Sequence, residues 1–130
     1  MITPSIKDKV LNKLVEGDAI RKEFDLYTLS IELGMSPDVL DAILKHFEKL
    51  GLCEVRWFHG GLIHVVLHVE ASDMALHGGF TAQEKQLRDS LEKLQLELDG
   101  LRPSFPDRAA QITGIIADIS TVLGLFWPFK

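Results

Sequence analysis

The residues of this chain with the greatest capacity for chemistry are one cysteine and five histidines. Cys53, His64 and His68 fall in two segments rich in β-branched and aromatic residues, on either side of His59-Gly60-Gly61. A two-residue turn at the glycine pair would set Cys53 opposite His68 and would place all three side chains on one face of a β-hairpin. Thiolate and imidazole are zinc ligands, but the set lacks a fourth member. Histidines on the wetter face of a hairpin explain the same spacing, so we predict no metal site.

An enzyme needs a nucleophile or an acid–base pair that is held in a pocket. The acidic residues here fall at helix caps and solvent-facing positions, and Cys53 begins a strand. Gly78-Gly79 precedes a helix, but it lacks the preceding strand and the lysine of a phosphate-binding loop. The sequence therefore predicts neither catalysis nor a cofactor.

Composition narrows the range of partners and compartments. The 130 residues carry a net charge of −5, and residues 1–80 contain 8 lysines and arginines against 12 aspartates and glutamates. Neither half of the chain has the basic excess that marks many nucleic-acid-binding domains. A single cysteine precludes a disulfide framework and suits a reducing compartment. The N-terminus lacks a basic start followed by an apolar run, so we expect a cytoplasmic protein without a secretory signal.

Capping and stop residues divide the first fifty residues into three helices. The predicted helices begin after Thr3, Asp25 and Ser36 and end at Gly17, Gly34 and Gly51. The residues that follow are rich in β-branched and aromatic types. They predict two strands, 53–58 and 62–69, joined as a hairpin. A short helical turn is predicted at 72–77.

The stretch 29–43 has the phase of a helix-turn-helix motif. Ser30 is the small residue needed where two helices cross, Gly34 lies four residues on in the turn, and Met35 is the apolar residue that follows. Ile43 then packs back from the second helix of the motif. The residues 48–52 are typical of a recognition helix that leads into a wing. The first eighty residues therefore resemble winged helix-turn-helix regulators of the MarR and PadR kind.

This resemblance implies that the third helix enters the major groove of DNA, that the hairpin wing touches the DNA backbone, and that the extra helices dimerise. The DNA-binding residues implied in this way are Ser36, Lys45, His46, Lys49, Arg56 and His59. Asp38 and Asp41, however, lie near the start of the third helix, where the phosphate field repels a carboxylate. Two interpretations stay open. One is a DNA-binding regulator, and the other is a winged helix that binds a basic protein partner.

A leucine stripe follows Thr81, a candidate helix cap with Glu84 three residues on. The leucine stripe comprises Leu87, Leu91, Leu94, Leu98 and Leu101, at alternating spacings of four and three. Such heptad spacing is typical of a helix that packs lengthwise on another helix. About two heptads make only a marginal coiled coil in isolation, so we expect this helix to pack on another helix and on a second subunit.

A last helix is predicted over 107–126. Its apolar face comprises Ile112, Ile115, Ile116, Ile119, Val122, Leu123 and Phe126. The predicted dimerisation residues are the leucine stripe together with Ile112, Ile116, Ile119 and Leu123.

The apolar segment 109–129 also has about the length of a membrane span. Asp118 lies near its middle, which costs about 3 kcal/mol on insertion scales. Gln111 and Thr121 share the helical face of Asp118, which favours burial of the opposite face against protein. Membrane association through this helix is kept as part of the alternative interpretation.

The sequence thus predicts an α+β chain that is mostly helical. Residues 1–80 are predicted to form a winged helix-turn-helix domain of three helices and a β-hairpin wing, and residues 81–130 a coiled-coil-like oligomerisation arm. The predicted function is transcription regulation by a homodimer that binds double-stranded DNA. The alternative is a protein-interaction or adaptor module that does not bind DNA.

Overall fold

A computed structural model describes residues 2–122 of the chain. The fold is α+β and mostly helical, with six α-helices and one three-stranded antiparallel sheet in this range. This coarse fold class confirms the prediction. The chain divides after Ala82 into two compact units.

The first three helices begin where the capping residues predict. Helix α1 is Pro4–Val15, and the hydroxyl of Thr3 accepts a hydrogen bond from the backbone N–H of Ile6 at 3.2 Å. Helix α2 is Leu26–Leu33, and the carboxylate of Asp25 accepts hydrogen bonds from two backbone N–H groups of its first turn at 3.0 Å. These side chains satisfy backbone donors that have no partner within the helix.

The turn between α2 and the next helix is equally well determined. Gly34 ends α2 in the left-handed conformation, with φ of 69°. Helix α3 is Pro37–Lys49, and the Ser36 hydroxyl accepts a hydrogen bond from the N–H of Val39 at 3.2 Å. The predictions for both ends of this turn are confirmed.

The sheet contains one strand more than the sequence predicted. Strands β1 (Arg21–Asp25), β2 (Cys53–Trp57) and β3 (Leu62–Leu67) lie in the order β1-β3-β2. Strand β1 was missed because Phe24 is its one apolar residue, so the strand shows no run of apolar or β-branched residues. It also lies between two helices, in a segment for which the sequence predicts no helix or strand.

The predicted register of the hairpin is wrong by one residue. The connection between β2 and β3 is a single 3₁₀ turn, His59–Gly61, closed by a hydrogen bond from the N–H of Phe58 to the carbonyl oxygen of Leu62 at 2.9 Å. Because this loop has three residues where two were predicted, Cys53 lies opposite Leu67 and not opposite His68. A shift of one residue moves every side chain of a strand to the other face.

The predicted second strand also ends too late. Strand β3 stops at Leu67, and helix α4 (Val69–Leu76) begins where the strand was expected to continue. This helix is longer, and starts earlier, than the short turn predicted at 72–77.

The core of the first unit lies between the helices and the inner face of the sheet. Its largest fully buried members come from α1, α3 and β3. They are Leu11, Leu14, Leu40, Ile43, Leu44, Phe47, Ile63 and Val65. Burial of large apolar side chains from three elements at once provides the main stabilising force of this unit.

Helix α5 (Gly79–Leu101) begins two residues before Thr81, so Thr81 is not its N-cap as predicted. The carboxylate of Asp8 on α1 takes the capping role. It accepts hydrogen bonds from the backbone N–H groups of Phe80, at 2.6 Å, and Thr81, at 3.1 Å, and from the Thr81 hydroxyl. A Cβ atom on Gly79 would collide with this carboxylate, and Gly79 has a φ of 71°. A side chain distant in sequence therefore caps α5.

The second unit contains the rest of α5 and helix α6 (Pro106–Val122). Leu91, Leu98 and Ile116 form a buried apolar cluster in this unit, with Leu87 packed against them. The amide nitrogen of the buried Gln95 donates a hydrogen bond to the hydroxyl of Thr113 at 3.2 Å. The part of the last helix predicted beyond residue 122, including Leu123 and Phe126, lies outside the described residues.

The segment 109–129, which carries the membrane alternative, lies partly outside the described residues. Among the helices between residues 2 and 122, none combines the length and the apolar character that crossing a bilayer requires.

We expect Asp8→Ala to lower the free energy of unfolding by about 1–2 kcal/mol, because two backbone N–H groups lose their acceptor. Urea denaturation followed by circular dichroism measures this change. Asp18→Ala is the matched control, since Asp18 is exposed and its side chain has no hydrogen bond or ion pair within residues 2–122. Equal stability of the two variants would contradict the capping role of Asp8.

Candidate nucleic-acid interface

One face of α3 is buried and the other is open to solvent. The buried face packs into the core through Leu40, Ile43, Leu44 and Phe47. The exposed residues of α3 are spaced by three or four residues, and are Asp38, Ala42, Lys45 and Lys49. We call these four residues the α3 surface. It is acidic at its N-terminal end and basic at its C-terminal end.

The helix-turn-helix side chains singled out in the sequence occupy the interior positions they require. Ser30 is buried, and its hydroxyl donates a hydrogen bond to the carbonyl oxygen of Tyr27 at 2.7 Å. Met35 follows the left-handed Gly34 and packs against the core. Together these contacts hold α2 and α3 in a fixed relation, which sets the direction in which the α3 surface faces.

Lys45 lies between its own helix and the hairpin. Its ammonium group is 3.0 Å from the Asp41 carboxylate and 5.7 Å from the centroid of the Trp57 ring. An exposed ion pair of this kind contributes 1 kcal/mol or less, so the ammonium group can exchange Asp41 for a phosphate at little cost. Lys49 has no hydrogen bond or ion pair within the described range and is free to meet an anion.

His46 does not join the α3 surface. Its Nε2 lies 3.4 Å from the ammonium group of Lys7 on α1, in a partly buried position. Burial lowers the pKa of His46 from its ordinary value, and the positive charges of Lys7 and Lys49 lower it further. A neutral imidazole that faces α1 is a poor contact for DNA phosphates at pH 7.

The remaining predicted contacts are divided between two sides of the unit. Arg56 alternates with the buried Val55 along β2 and so lies on the face of the sheet that points away from the core. His59 is exposed in the 3₁₀ turn, and Ser36 uses its hydroxyl to cap α3. The structure therefore brings Lys45 and Lys49 together and leaves His46 and Arg56 on other surfaces.

Several carboxylates have structural roles, of which the sequence predicts only the cap at Asp25. Asp8 and Asp25 cap helices, and a carboxylate oxygen of Glu48 accepts a hydrogen bond from the N–H of Val55 at 3.3 Å. Lys13 lies within 4 Å of both Glu16 and Glu32. Part of the net negative charge of the unit therefore comes from carboxylates that cap helices or pair with a lysine. These carboxylates do not belong to the α3 surface, so the net charge overstates how acidic that surface is.

The interpretation of Cys53, His64 and His68 as one face of a hairpin is wrong. Cys53 is buried in the core, whereas His64 lies on the outer face of the sheet, 2.9 Å from the carboxylate of Glu23. His68 lies beyond the end of β3, with Nδ1 2.9 Å from the carbonyl oxygen of Gly51. Across the part of the chain that the structure describes, no group of three or more such side chains is placed to hold a metal ion.

The thiol of Cys53 is chemically quiet. Burial raises its pKa to about 12, and the nearby carboxylates of Glu48 and Glu54 act in the same direction. Because the thiolate is the reactive form, this cysteine is a core residue and not a nucleophile at neutral pH.

Some leucines of the leucine stripe are buried and others are exposed. Leu91, Leu98 and Ile116 are buried between α5 and α6, and their role in dimerisation stays a prediction. Several predicted dimerisation residues are instead exposed. They are Leu94, Leu101, Ile112 and Ile119, and Ile115 is exposed beside them.

These exposed residues lie on one side of the α5–α6 hairpin. At 3.6 residues per turn, Leu94 and Leu101 are rotated about 80° from the side of α5 that contacts α6, and Ile112 and Ile119 are rotated about 80° in the same sense on α6. The helices run in opposite directions, since only residues 102–105 separate them. Equal rotations on antiparallel helices point to the same side. We call this side, with Ile115, the arm surface.

No protein-family model, no curated protein and no solved structure matches the chain. Its function is therefore inferred from its own residues and their geometry.

Removing the charge of Lys7 is expected to raise the pKa of His46, because a neighbouring positive charge disfavours the imidazolium. Lys7→Gln and the wild type are compared by NMR titration of the His46 ring protons. Lys9→Gln is the control, since Lys9 is exposed and its side chain has no hydrogen bond or ion pair between residues 2 and 122. An unchanged midpoint in Lys7→Gln would show that Lys7 does not face His46 in solution.

Proposed function

We propose that residues 1–82 are a winged helix-turn-helix module that binds duplex DNA, and that the chain acts as a homodimeric transcription regulator. The element order α1-β1-α2-α3-β2-β3 supports the winged-helix assignment. The hairpin follows α3 directly, and its strand β2 packs on α3, as a wing beside a recognition helix requires. Strand β1 completes the sheet from the segment between α1 and α2.

The α3 surface is the observation that supports DNA binding. Lys45 and Lys49 lie one helical turn apart on the exposed side, and the exposed His59 is in the hairpin turn that follows. Phosphate contacts from lysines supply most of the affinity of a protein for DNA that does not depend on sequence. With Asp38 at the other end of the surface, we propose that the C-terminal half of α3 lies closest to the phosphates.

The arm surface supports a homodimer. A two-fold symmetric contact uses the same surface on both subunits, so the apolar side chains of the arm surface would pack against their own copies. Two α5–α6 hairpins facing each other would form a four-helix bundle in which the exposed leucines and isoleucines are buried. Such a dimer presents two α3 surfaces, which suits an operator with two half-sites.

A second candidate function is a protein-interaction module without DNA binding. The observation that favours it is the exposed Asp38 together with the ion pair between Asp41 and Lys45, which reduces the positive charge of the α3 surface. A basic segment of a partner protein would complement this acidic end.

Salt-dependent binding to a fluorescent duplex of mixed sequence separates the two functions. If the module binds DNA, affinity falls steeply between about 50 and about 200 mM salt, as counterions are released from the duplex. Lys49→Gln should weaken binding and reduce the slope of log K against log salt by about one for each subunit bound. Lys9→Gln, which makes the same change of charge on α1, should leave both unchanged.

Undetectable binding at the lower salt concentration would contradict the DNA-binding proposal and would leave the protein-interaction module. Equal effects of Lys49→Gln and Lys9→Gln would remove the α3 surface from the DNA contact.

For the homodimer, we expect light scattering after size exclusion to give twice the chain mass of 14.6 kDa. Leu94→Asp places a charge in the arm surface and should yield the monomer, because burial of an unpaired charge is strongly unfavourable. Leu96→Asp is the control, since Leu96 is 65 % exposed and lies on the other side of α5. A monomeric wild type, or equal masses for the two variants, would contradict the arm surface as the contact.

A further inference from the structure

The outer face of the sheet, which points away from α3, carries an ordered set of charges. Two rows of residues cross the three strands on this face. The first row is Arg21, Val66 and Glu54, and the second row is Glu23, His64 and Arg56. The two arginines therefore lie at opposite corners of a square, and the two glutamates at the other corners. We call this arrangement the outer sheet site.

The outer sheet site is concave. Its residues line a cavity of about 450 Å³, with Val66 and the backbone of β3 between the two arginines. Volumes of this size are typical of sites for small molecules. Strands are about 4.8 Å apart and rise about 3.3 Å per residue, so the arginine Cα atoms are separated by about 10 Å across the sheet and about 7 Å along it. Two extended arginine side chains can meet over β3 from these positions.

The arginines have no partner, whereas their neighbours do. Within residues 2–122, neither Arg21 nor Arg56 makes a side-chain hydrogen bond or an ion pair. The carboxylate of Glu23 is 2.9 Å from His64 Nε2, and the ammonium group of Lys22 donates to the carbonyl oxygen of Glu16. Glu23 and Glu54 line the same cavity but form no ion pair with either guanidinium group, so both guanidinium groups are available to an anion.

We propose that the outer sheet site binds the phosphate group of a small phosphate ester. Guanidinium groups bind phosphate oxygens in a bidentate manner, and two of them at opposite corners can contact one phosphate group from two sides. The ring of His64 is positioned between them on the central strand and adds a further donor when it is protonated.

The glutamates limit what else the site accepts. A second anionic group on the ligand would meet Glu54 or Glu23 at the other corners, whereas a hydroxyl group would find an acceptor there. The site therefore favours a singly phosphorylated, hydroxylated molecule over a polyanion. This distinguishes it from the α3 surface, and it offers a regulator an effector site on the opposite face of the sheet.

The probe for this proposal is inorganic phosphate, added to the ¹⁵N-labelled full chain at constant ionic strength. We expect saturable shifts of backbone amides confined to β1, β2 and β3. Arg21→Gln and Arg56→Gln should each weaken binding by about tenfold or more, as expected for loss of a charge-assisted hydrogen bond. Lys9→Gln should leave the affinity within about twofold, because exposed charges at a distance are screened. Both arginines are exposed, so the variants should keep the circular dichroism of the wild type.

Three results would overturn the proposal. The first is the absence of saturable shifts in the sheet. The second is equal loss of affinity in the arginine variants and in Lys9→Gln, which would show a diffuse attraction of anions. The third is a larger effect of Arg21→Gln and Arg56→Gln on duplex binding than on phosphate binding, which would assign the arginines to DNA. Lys49→Gln should not change phosphate binding, so failure of this site is distinguishable from failure of the α3 surface.

Discussion

The packing of α3 on the inner face of the sheet determines what the first unit can present to a partner. Leu44 and Phe47 are fully buried, and they lie on the same side of the helix as Leu40 and Ile43. Truncation of such side chains typically costs 2–5 kcal/mol, so the rotation of the helix about its axis is strongly fixed. The same constraint exposes the opposite side of α3 and directs Lys45 towards the hairpin. The proposed interface is therefore a consequence of the core.

The same packing reaches the start of α5. The ring of Phe80 stacks on Phe47 with centroids 5.4 Å apart, and the ammonium group of Lys7 lies 5.3 Å from the Phe80 centroid. Asp8, the next residue of α1, accepts a hydrogen bond from the backbone N–H of Phe80. The first turn of α5 thus belongs to the core of the first unit. The positive charge of Lys7 also lowers the pKa of His46 on α3. Lys7 therefore interacts both with the start of α5 and with the C-terminal part of α3.

The features predicted correctly from the sequence are local ones. Caps at Thr3, Asp25 and Ser36 and the stop at Gly34 act within four residues, so the sequence alone contains them. The features that were missed depend on distant partners or on small energy differences. Both Gly60 and Gly61 adopt positive φ, and such a pair is compatible with a loop of two or three residues. Whether the loop has two or three residues determines the register of the hairpin. The register in turn determines which residues of β3 share a face with Cys53. Asp8 could not be assigned to α5, since 72 residues separate the partners.

For the same reason, the candidate site was predicted only in part. Periodicity placed Lys45 and Lys49 on one helix, but the face on which Arg56 lies depends on the strand register.

The central claim is that the exposed side of α3 contacts the duplex. Its most direct test is an NMR titration of the ¹⁵N-labelled chain with duplex DNA at low salt. We predict that the largest shifts occur at Lys45, Lys49 and the turn 59–61. Shifts confined to other elements, or no shifts at all, would contradict the account.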